Sequence, residues 1–342
     1  MIQQHNASIL PQKHGKLEVG TRPTPTPQGT QALVKYETEV NDFQVNSIDW
    51  KAVDYGVFIE NFPAILGFDG AGVIHAVGPN VTNFMTGDRV FFQGGFRADY
   101  ASYQEYALVE TDIIAKIPDN INDDQASTVP VCAFTAYLGL FERTGITAPL
   151  NGSTAIEKPV LILGGSSSVG QFAIQLARIA GFSPIVTTAS SQHAELLKSL
   201  GATHVFDRDA DVQTIRSAFR TPINLAVDTI SNDPTQSLAF DILTTPSPVL
   251  GARLNIVTPQ TDTLKEKNKG DVIVVEQVYG SSEMFKDMSV PFWKKVGRWI
   301  EGGELVPNRV QLVDGGLAGI PEALSLSRKG VSGVKLVVHP QM

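Results

Sequence analysis

The residues best placed to do chemistry lie between Val160 and Gly181. An apolar run, Val160 to Leu163, meets a turn made of Gly164, Gly165, Ser166, Ser167, Ser168, Val169 and Gly170. Apolar residues then recur at Val169, Phe172, Ala173, Leu176, Ala177 and Ala180 with helical spacing, and Gly181 falls where a helix stops. A strand, a small-residue turn and a helix start bring together unpaired amides and the positive end of a helix dipole, which suit a pyrophosphate. The pattern is one glycine short of G-x-G-x-x-G, because Ser167 stands at the second position. Gly165 is expected to make the tight turn and Gly170 to let helix and strand pack closely. Ser166, Ser167 and Ser168 would offer hydroxyls and amides to phosphate. An ordinary strand-to-helix turn is the competing reading.

The next strand separates these readings. About twenty residues on, an NAD site carries an acid that holds the ribose diol, and the segment from Pro184 to Ser191 has none. Hydroxyls at Ser190 and Ser191, with His193, Lys198 and Arg208 in reach, would instead accept a 2′-phosphate. NADPH rather than NADH is the expected cofactor, although Ser190 and Ser191 could also cap the helix that follows.

The elements that must position this turn read as alternating strands and helices. Helices are expected at 193–200, at 211–219 and after Pro234, with strands at 203–207, 223–228, 246–257 and 271–278. Such sheets bind ligands at the carboxyl ends of their strands, which makes Asp228 to Ile230 and Val257 to Pro259 candidate walls. Upstream, 32–40 alternates as a strand does, 62–78 and 84–90 mix glycine with β-branched residues as in a small, tightly turned barrel, and 102–109 adds another strand. A helix from about Ala126 to Arg143 bridges the two parts. An amphipathic helix at 292–300, a strand at 309–313, a helix near 320–328 and a strand at 334–338 return to the first part. The expected fold is α/β, with a discontinuous barrel at 1–125 and 286–342 and a doubly wound parallel sheet at 126–285.

Composition narrows the partners. The chain has 342 residues, 42% hydrophobic and 18% charged, with a net charge of −8. That balance argues against nucleic acid or an anionic membrane as a main partner. The single cysteine, Cys132, excludes an internal disulfide framework and points to a reducing, cytoplasmic compartment. No apolar run approaches membrane-spanning length.

With these residues in order, the chain resembles the medium-chain dehydrogenase/reductase superfamily over nearly its whole length. The resemblance rests on Asn46, Asp49 and Lys51, on the run from Leu66 to Gly72, on Gly87 to Val90, and on the Gly165 turn. Within the superfamily it is similar to the zinc-independent quinone oxidoreductase and enoyl reductase branch, and especially to fungal stand-alone enoyl reductases. The resemblance implies a GroES-like barrel holding substrate and an inserted Rossmann domain holding NADPH. Zinc-dependent relatives place a histidine where this chain has Phe68, and Cys132 opens the bridge helix. A catalytic zinc needs three suitable protein ligands, the six histidines show no paired spacing, and His75 sits in a strand pattern. No metal is expected.

The resemblance also implies site residues. Without zinc, NADPH reduction of a polarised C=C bond becomes the expected reaction, in an enoyl thioester or an α,β-unsaturated ketone. Hydride reaches the β-carbon, and the enolate oxygen that forms needs an aimed donor. Lys51 is the charged candidate, since fungal enoyl reductases carry a lysine there; its competing readings are an exposed lysine or a pair with Asp69. Asn46 and Asp49 would orient its loop, Thr135 would lie beside nicotinamide and acyl carbonyl, and Tyr55 is a candidate proton donor. Quinone reduction and a non-catalytic NADPH-binding scaffold are the alternatives. The implied partners are a small-molecule or acyl-thioester substrate and a carrier protein or synthase that presents it.

Overall fold

Glycine and β-branched residues favour strands and tight turns in the first third of the chain, and the elements follow that composition. The computed structural model describes residues 3–36 and 43–340. In chain order they form β1 (Gln4–Leu10), β2 (Glu18–Pro23), β3 (Gln31–Lys35), β4 (Phe43–Gln44), α1 (Ser47–Tyr55), β5 (Ala64–Ile65), β6 (Asp69–Val77), β7 (Arg89–Gln93), β8 (Tyr106–Glu110), β9 (Ile114–Lys116), α2 (Asp123–Ser127) and α3 (Pro130–Phe141). Then come β10 (Val160–Leu163), α4 (Ser168–Ala180), β11 (Ile185–Thr188), α5 (Ala194–Leu200), β12 (His204–Phe206), α6 (Val212–Arg216), β13 (Leu225–Asp228), α7 (Asp233–Thr244), β14 (Arg253–Ile256), α8 (Asp262–Lys267) and β15 (Val274–Gln277). The chain ends with α9 (Lys286–Glu301), β16 (Val310–Leu312), α10 (Gly316–Lys329) and β17 (Lys335–Val338).

Two units result. One comprises Met1–Val131, Ser281–Gly303 and Pro307–Met342; the other comprises Cys132–Gly280 and Glu304–Val306. The division falls inside α3 rather than near 125, because α2 stays with the barrel strands: Arg89 pairs with Asp123, and the Val131 amide donates to Asp69. Residues 281–285 belong to the first unit through the Ser282 amide, which donates to Gln93 Oε1 at 2.6 Å, and Trp293 Nε1, which donates to Ser282 Oγ at 3.0 Å.

The first unit is a GroES-like β structure. Its larger sheet runs β16-β17-β4-β6-β3-β8, with β7 joining β6 to β9, and a smaller sheet runs β2-β1-β5. Tyr36, Phe43, Phe92, Tyr103, Ile320 and Leu336 fill the core between them. The second unit is a six-stranded parallel sheet in the order β12-β11-β10-β13-β14-β15. This is the doubly wound dinucleotide-fold order, which reverses direction between β10 and β13. Leu161, Leu163, Leu254 and Ile256 pack there against Phe240 and Ile242 of α7.

Several expected elements change shape. The helix expected at 126–143 is two helices, since Thr128 caps α2 and Pro130, which has no N–H to give, opens α3. The strand expected at 246–257 shrinks to β14, because Pro246 and Pro248 cannot donate to a ladder and Gly251 turns at φ +74°. Of the strand expected at 32–40, β3 covers residues through Lys35, and 37–40 lie outside the described residues.

Candidate functional site

The turn between β10 and α4 is built from backbone. Gly164 takes the left-handed conformation at φ +79°, so the tight turn is its work and not that of Gly165. Gly165 is required for space instead: a Cβ there would lie 2.2 Å from Thr187 Oγ1. A Cβ at Gly170 would lie 2.3 Å from the Gly164 carbonyl oxygen, so this glycine lets the first helical turn press against the loop. Both glycines therefore let the turn pack closely against β11 and the start of α4. These residues fit a pyrophosphate.

Hydrogen-bond accounting assigns the serines different jobs. Ser167 is the N-cap of α4; its Oγ accepts from the Gly170 amide at 2.9 Å and lies 2.8 Å from Thr229 Oγ1. Thr229 has one hydroxyl hydrogen, and its oxygen lies 2.8 Å from the Leu163 carbonyl, so that hydrogen goes to backbone and Ser167 donates to Thr229. The Ser167 hydroxyl is thus committed within the loop, contrary to the expectation that it would reach phosphate. The amides of Ser168 and Val169, in the first turn of α4, have no preceding helical acceptor, and both residues are half-buried. Ser166 stays at the loop, its carbonyl accepting from Gln171 Nε2 at 3.1 Å.

At the end of β11 no acid is present. Ser190 is half-buried and Ser191 exposed. Ser190 occupies a capping position, yet its side chain makes no capping hydrogen bond, which leaves the hydroxyl for other use. Arg208 is exposed and makes no ion pair with a described residue. Lys198 pairs with Glu195 at 3.1 Å, and the His193 ring lies 3.2 Å from Gln192 Nε2. Asp228 ends β13 fully buried and accepts from the Ile230 and Ser231 amides and the Thr235 hydroxyl. Burial pushes its carboxyl up to about 6. It organises its own turn. Thr135, on α3, is 7% exposed and closely approached by Gly280, where a Cβ would lie 1.9 Å from its Oγ1.

In the first unit, α1 carries Lys51 and Tyr55 and begins at Asn46. The Asn46 amide donates to Asp49 Oδ2 at 2.6 Å, half of a capping box. Its side chain turns inward: Nδ2 donates to Asp69 Oδ2 at 2.7 Å, and Oδ1 accepts from Lys335 Nζ at 2.7 Å. Asp69 also accepts from Gln44 Nε2 and, at 2.7 Å, from the Val131 amide. Asn46 is 4% exposed and Lys335 6%, while Asp49 and Asp69 are fully buried. Burial pushes the carboxyls up to about 7 for Asp49 and about 6 for Asp69, with the Lys335 charge opposing it. Asp49 Oδ1 and the Tyr103 hydroxyl are buried neighbours without a well-formed hydrogen bond between them. Asn46 thus ties the start of α1 into this buried network.

Lys51 points elsewhere. It follows Asp49 by two residues, roughly 200° around the helix, and is half-buried with Nζ 5.6 Å from the Trp50 ring centre. Burial lowers its pKa, and it forms no ion pair with any described residue. The pair with Asp69 does not form. Arg328 braces the same helix from α10, donating twice to Asp54 at 2.7 Å and lying 5.7 Å from the Trp50 ring centre. Tyr55 is 59% exposed, edge-on to Trp50.

The structure thus carries Lys51 and Tyr55 on α1, with Asn46 at its N-cap, and it places the Gly165 turn, Ser190, Ser191, His193, Arg208 and Thr135 in the other unit. Lys335 escaped sequence reasoning; a lysine opening an apolar strand gives no sign that it is buried. Among the described residues, no group of three or more His, Cys, Asp or Glu side chains could hold a metal. Phe68 and Cys132 are both buried. No helix of the described residues is long and apolar enough to cross a membrane.

Comparison with known proteins supplies independent findings. Residues 30–119 match the family model described as an alcohol dehydrogenase GroES-like domain, and residues 168–247 match that described as a zinc-binding dehydrogenase. The trans-enoyl reductase tndF of Aspergillus flavipes is 34% identical over 99% of both chains. The enoyl reductase component lovC of the lovastatin nonaketide synthase, from Aspergillus terreus, is 32% identical over 81% of this chain and 82% of its own. Among solved structures, a putative zinc-dependent alcohol dehydrogenase protein from Rhizobium etli aligns with a TM-score of 0.83 at 24% identity, covering 99% of both chains.

Proposed function

The chain belongs to the medium-chain dehydrogenase/reductase superfamily, as an enoyl-reductase-like member, and from that premise we propose that it reduces an activated C=C bond with NADPH and without zinc. The substrate is an enoyl thioester or an α,β-unsaturated ketone. One observation carries the reading: Lys51 is a half-buried ammonium with no counter-charge among the described residues. A cation kept partly from water, with no carboxylate beside it, is suited to an anionic oxygen that appears only during reaction.

Bound NADPH would supply the hydride for the β-carbon of the substrate. The amides of Ser168 and Val169, in the cradle cleared by Gly165 and Gly170, would hold its pyrophosphate. Ser190, Ser191, His193 and Arg208 would meet the 2′-phosphate, and the absence of an acid after Ala189 removes the partner that NADH requires. Lys51 would donate to the enolate oxygen, lowering the barrier as charge moves there. Thr135 would contact nicotinamide and the acyl carbonyl, and the exposed Tyr55 phenol would deliver the α-carbon proton. Phe68, at the place of the histidine in zinc-dependent relatives, and the lack of a converging ligand set among the described residues support a reaction without zinc. The relative from Aspergillus terreus is named as the enoyl reductase component of a synthase, which supports an acyl chain presented by a synthase as the substrate form here. The single cysteine supports work in the reducing cytoplasm.

The test is NADPH oxidation by the purified protein with three acceptors: crotonyl-coenzyme A, a simple enone and benzoquinone. Turnover of the first or second supports the reading. Turnover of the quinone alone would replace it with quinone reduction, and no turnover of any would favour a binding scaffold.

A further inference from the structure

We propose that Lys335, at the start of the last strand, is a positioning residue that fixes α1 and through it the placement of Lys51. The inference rests on the proposed role of Lys51 as the oxyanion donor. The C-terminal stretch grips α1 at both ends. At the N-terminal end, the backbone of β17 runs against the lead-in to the helix: Val337 pairs with Gln44, and the Val45 amide donates to the Leu336 carbonyl at 3.1 Å. From the same strand, Lys335 Nζ reaches Asn46 Oδ1 at 2.7 Å. Near the other end, Arg328 of α10 holds Asp54 with two hydrogen bonds.

The Lys335 contact determines rotation as well as position. Asn46 uses its amide on Asp49, its Nδ2 on Asp69 and its Oδ1 on Lys335. Holding the first turn by its buried face leaves one orientation for a residue roughly 200° further round, which is Lys51. Lys335 is also the cation that opposes the burial of Asp49 and Asp69. A methionine at 335 would fill the volume but leave Asn46 Oδ1 without that ammonium and the two carboxyls without its charge.

The experiment compares Lys335→Met, Lys51→Ala and the double variant, with NADPH and crotonyl-coenzyme A. Lys335→Met is expected to lower kcat roughly ten- to a hundredfold, as for a donor displaced by a fraction of an ångström. Its NADPH affinity should stay within about threefold, since the phosphate cradle belongs to the other unit. In the Lys51→Ala background, Lys335→Met should cost less than about threefold more, because the group it positions is already gone. A multiplicative loss in the double variant would overturn the inference, as would parental kcat in Lys335→Met while Lys51→Ala is impaired. Parental kcat in Lys51→Ala would instead reject the role of Lys51, and with it any action of Lys335 through that residue. Should Lys335→Met not fold, Asp69→Asn/Lys335→Met removes the opposite charges together and takes its place. Failure of both to fold would assign Lys335 to stability alone and overturn the proposal.

Discussion

Substituting Gly170 by alanine pits two effects of known size against each other. Gly170 is the third residue of α4, and helix propensity alone would make alanine more stable by about 1 kcal/mol. The new Cβ would lie 2.3 Å from the Gly164 carbonyl oxygen and 2.8 Å from Gly165 Cα. Both are backbone atoms of the turn itself, so no rotamer change relieves the clash. Overpacking of this kind costs about 1–3 kcal/mol. The net expectation is a loss of stability, with the turn displaced from the helix start. That displacement moves the Ser168 and Val169 amides, and losing one charge-assisted hydrogen bond of about 1.5–3 kcal/mol weakens NADPH binding roughly tenfold or more. Gly297 is the internal control: it lies within α9, and a Cβ there meets only the Lys116 carbonyl at an ordinary 3.6 Å. Gly297→Ala should therefore raise the melting temperature while Gly170→Ala lowers it. Thermal unfolding and fluorescence titration with NADPH read both variants. If Gly170→Ala is as stable as the parent and binds NADPH within twofold of it, the cradle is not the phosphate site and the packing argument is wrong.

Other consequences follow from the same residues. NADH should bind at least about tenfold more weakly than NADPH, a difference near 1.4 kcal/mol, and Arg208→Ala should narrow the gap; equal affinities in a titration would reject the 2′-phosphate site. Purified protein should carry well under one zinc per chain and keep its activity in strong chelators, whereas stoichiometric zinc lost together with activity would mean the ligand set was misread. Asp49 and Asp69 titrate near 7 and 6 in the fold against an ordinary 3.8, with burial the leading cause. The folded state therefore holds protons that the unfolded chain has released, and the stability these groups lend is present at low pH and lost as pH rises through about 4 to 7. Asp49→Asn removes one of these titrations, so the variant should lose less stability than the parent between about pH 5 and pH 8. Parallel denaturant curves for the two proteins would contradict the raised carboxyl.

The parts of this molecule that were legible in the sequence are those with local causes. A continuous apolar run before Gly164 and helical spacing from Val169 located the β10–α4 turn, and the missing acid after Ala189 needed only the end of β11. Which glycine carries the positive φ was not legible, since Gly164 and Gly165 are adjacent and both are crowded by residues distant in sequence, Ile230 and Thr187. Ser167 looked free because its partner, Thr229, lies sixty-two residues away on another strand end. Lys335 was invisible for the same reason, its contact with Asn46 spanning 289 residues. A charged residue in a strand reads as solvent-facing until pairing places a carboxylate beneath it. Asp69 was noticed as a possible partner for Lys51, but the helix rotation set by Asn46 gives it to the core.

The central claim is that Lys51 meets charge that develops only in the reaction. Lys51→Met tests it most directly, since it keeps much of the apolar stem over Trp50 and removes the ammonium. With crotonyl-coenzyme A as substrate, kcat should fall roughly ten- to a thousandfold while KM and NADPH affinity stay within about threefold. A parental kcat in a folded, NADPH-binding Lys51→Met protein would contradict the account and leave the oxyanion to Thr135 or Tyr55.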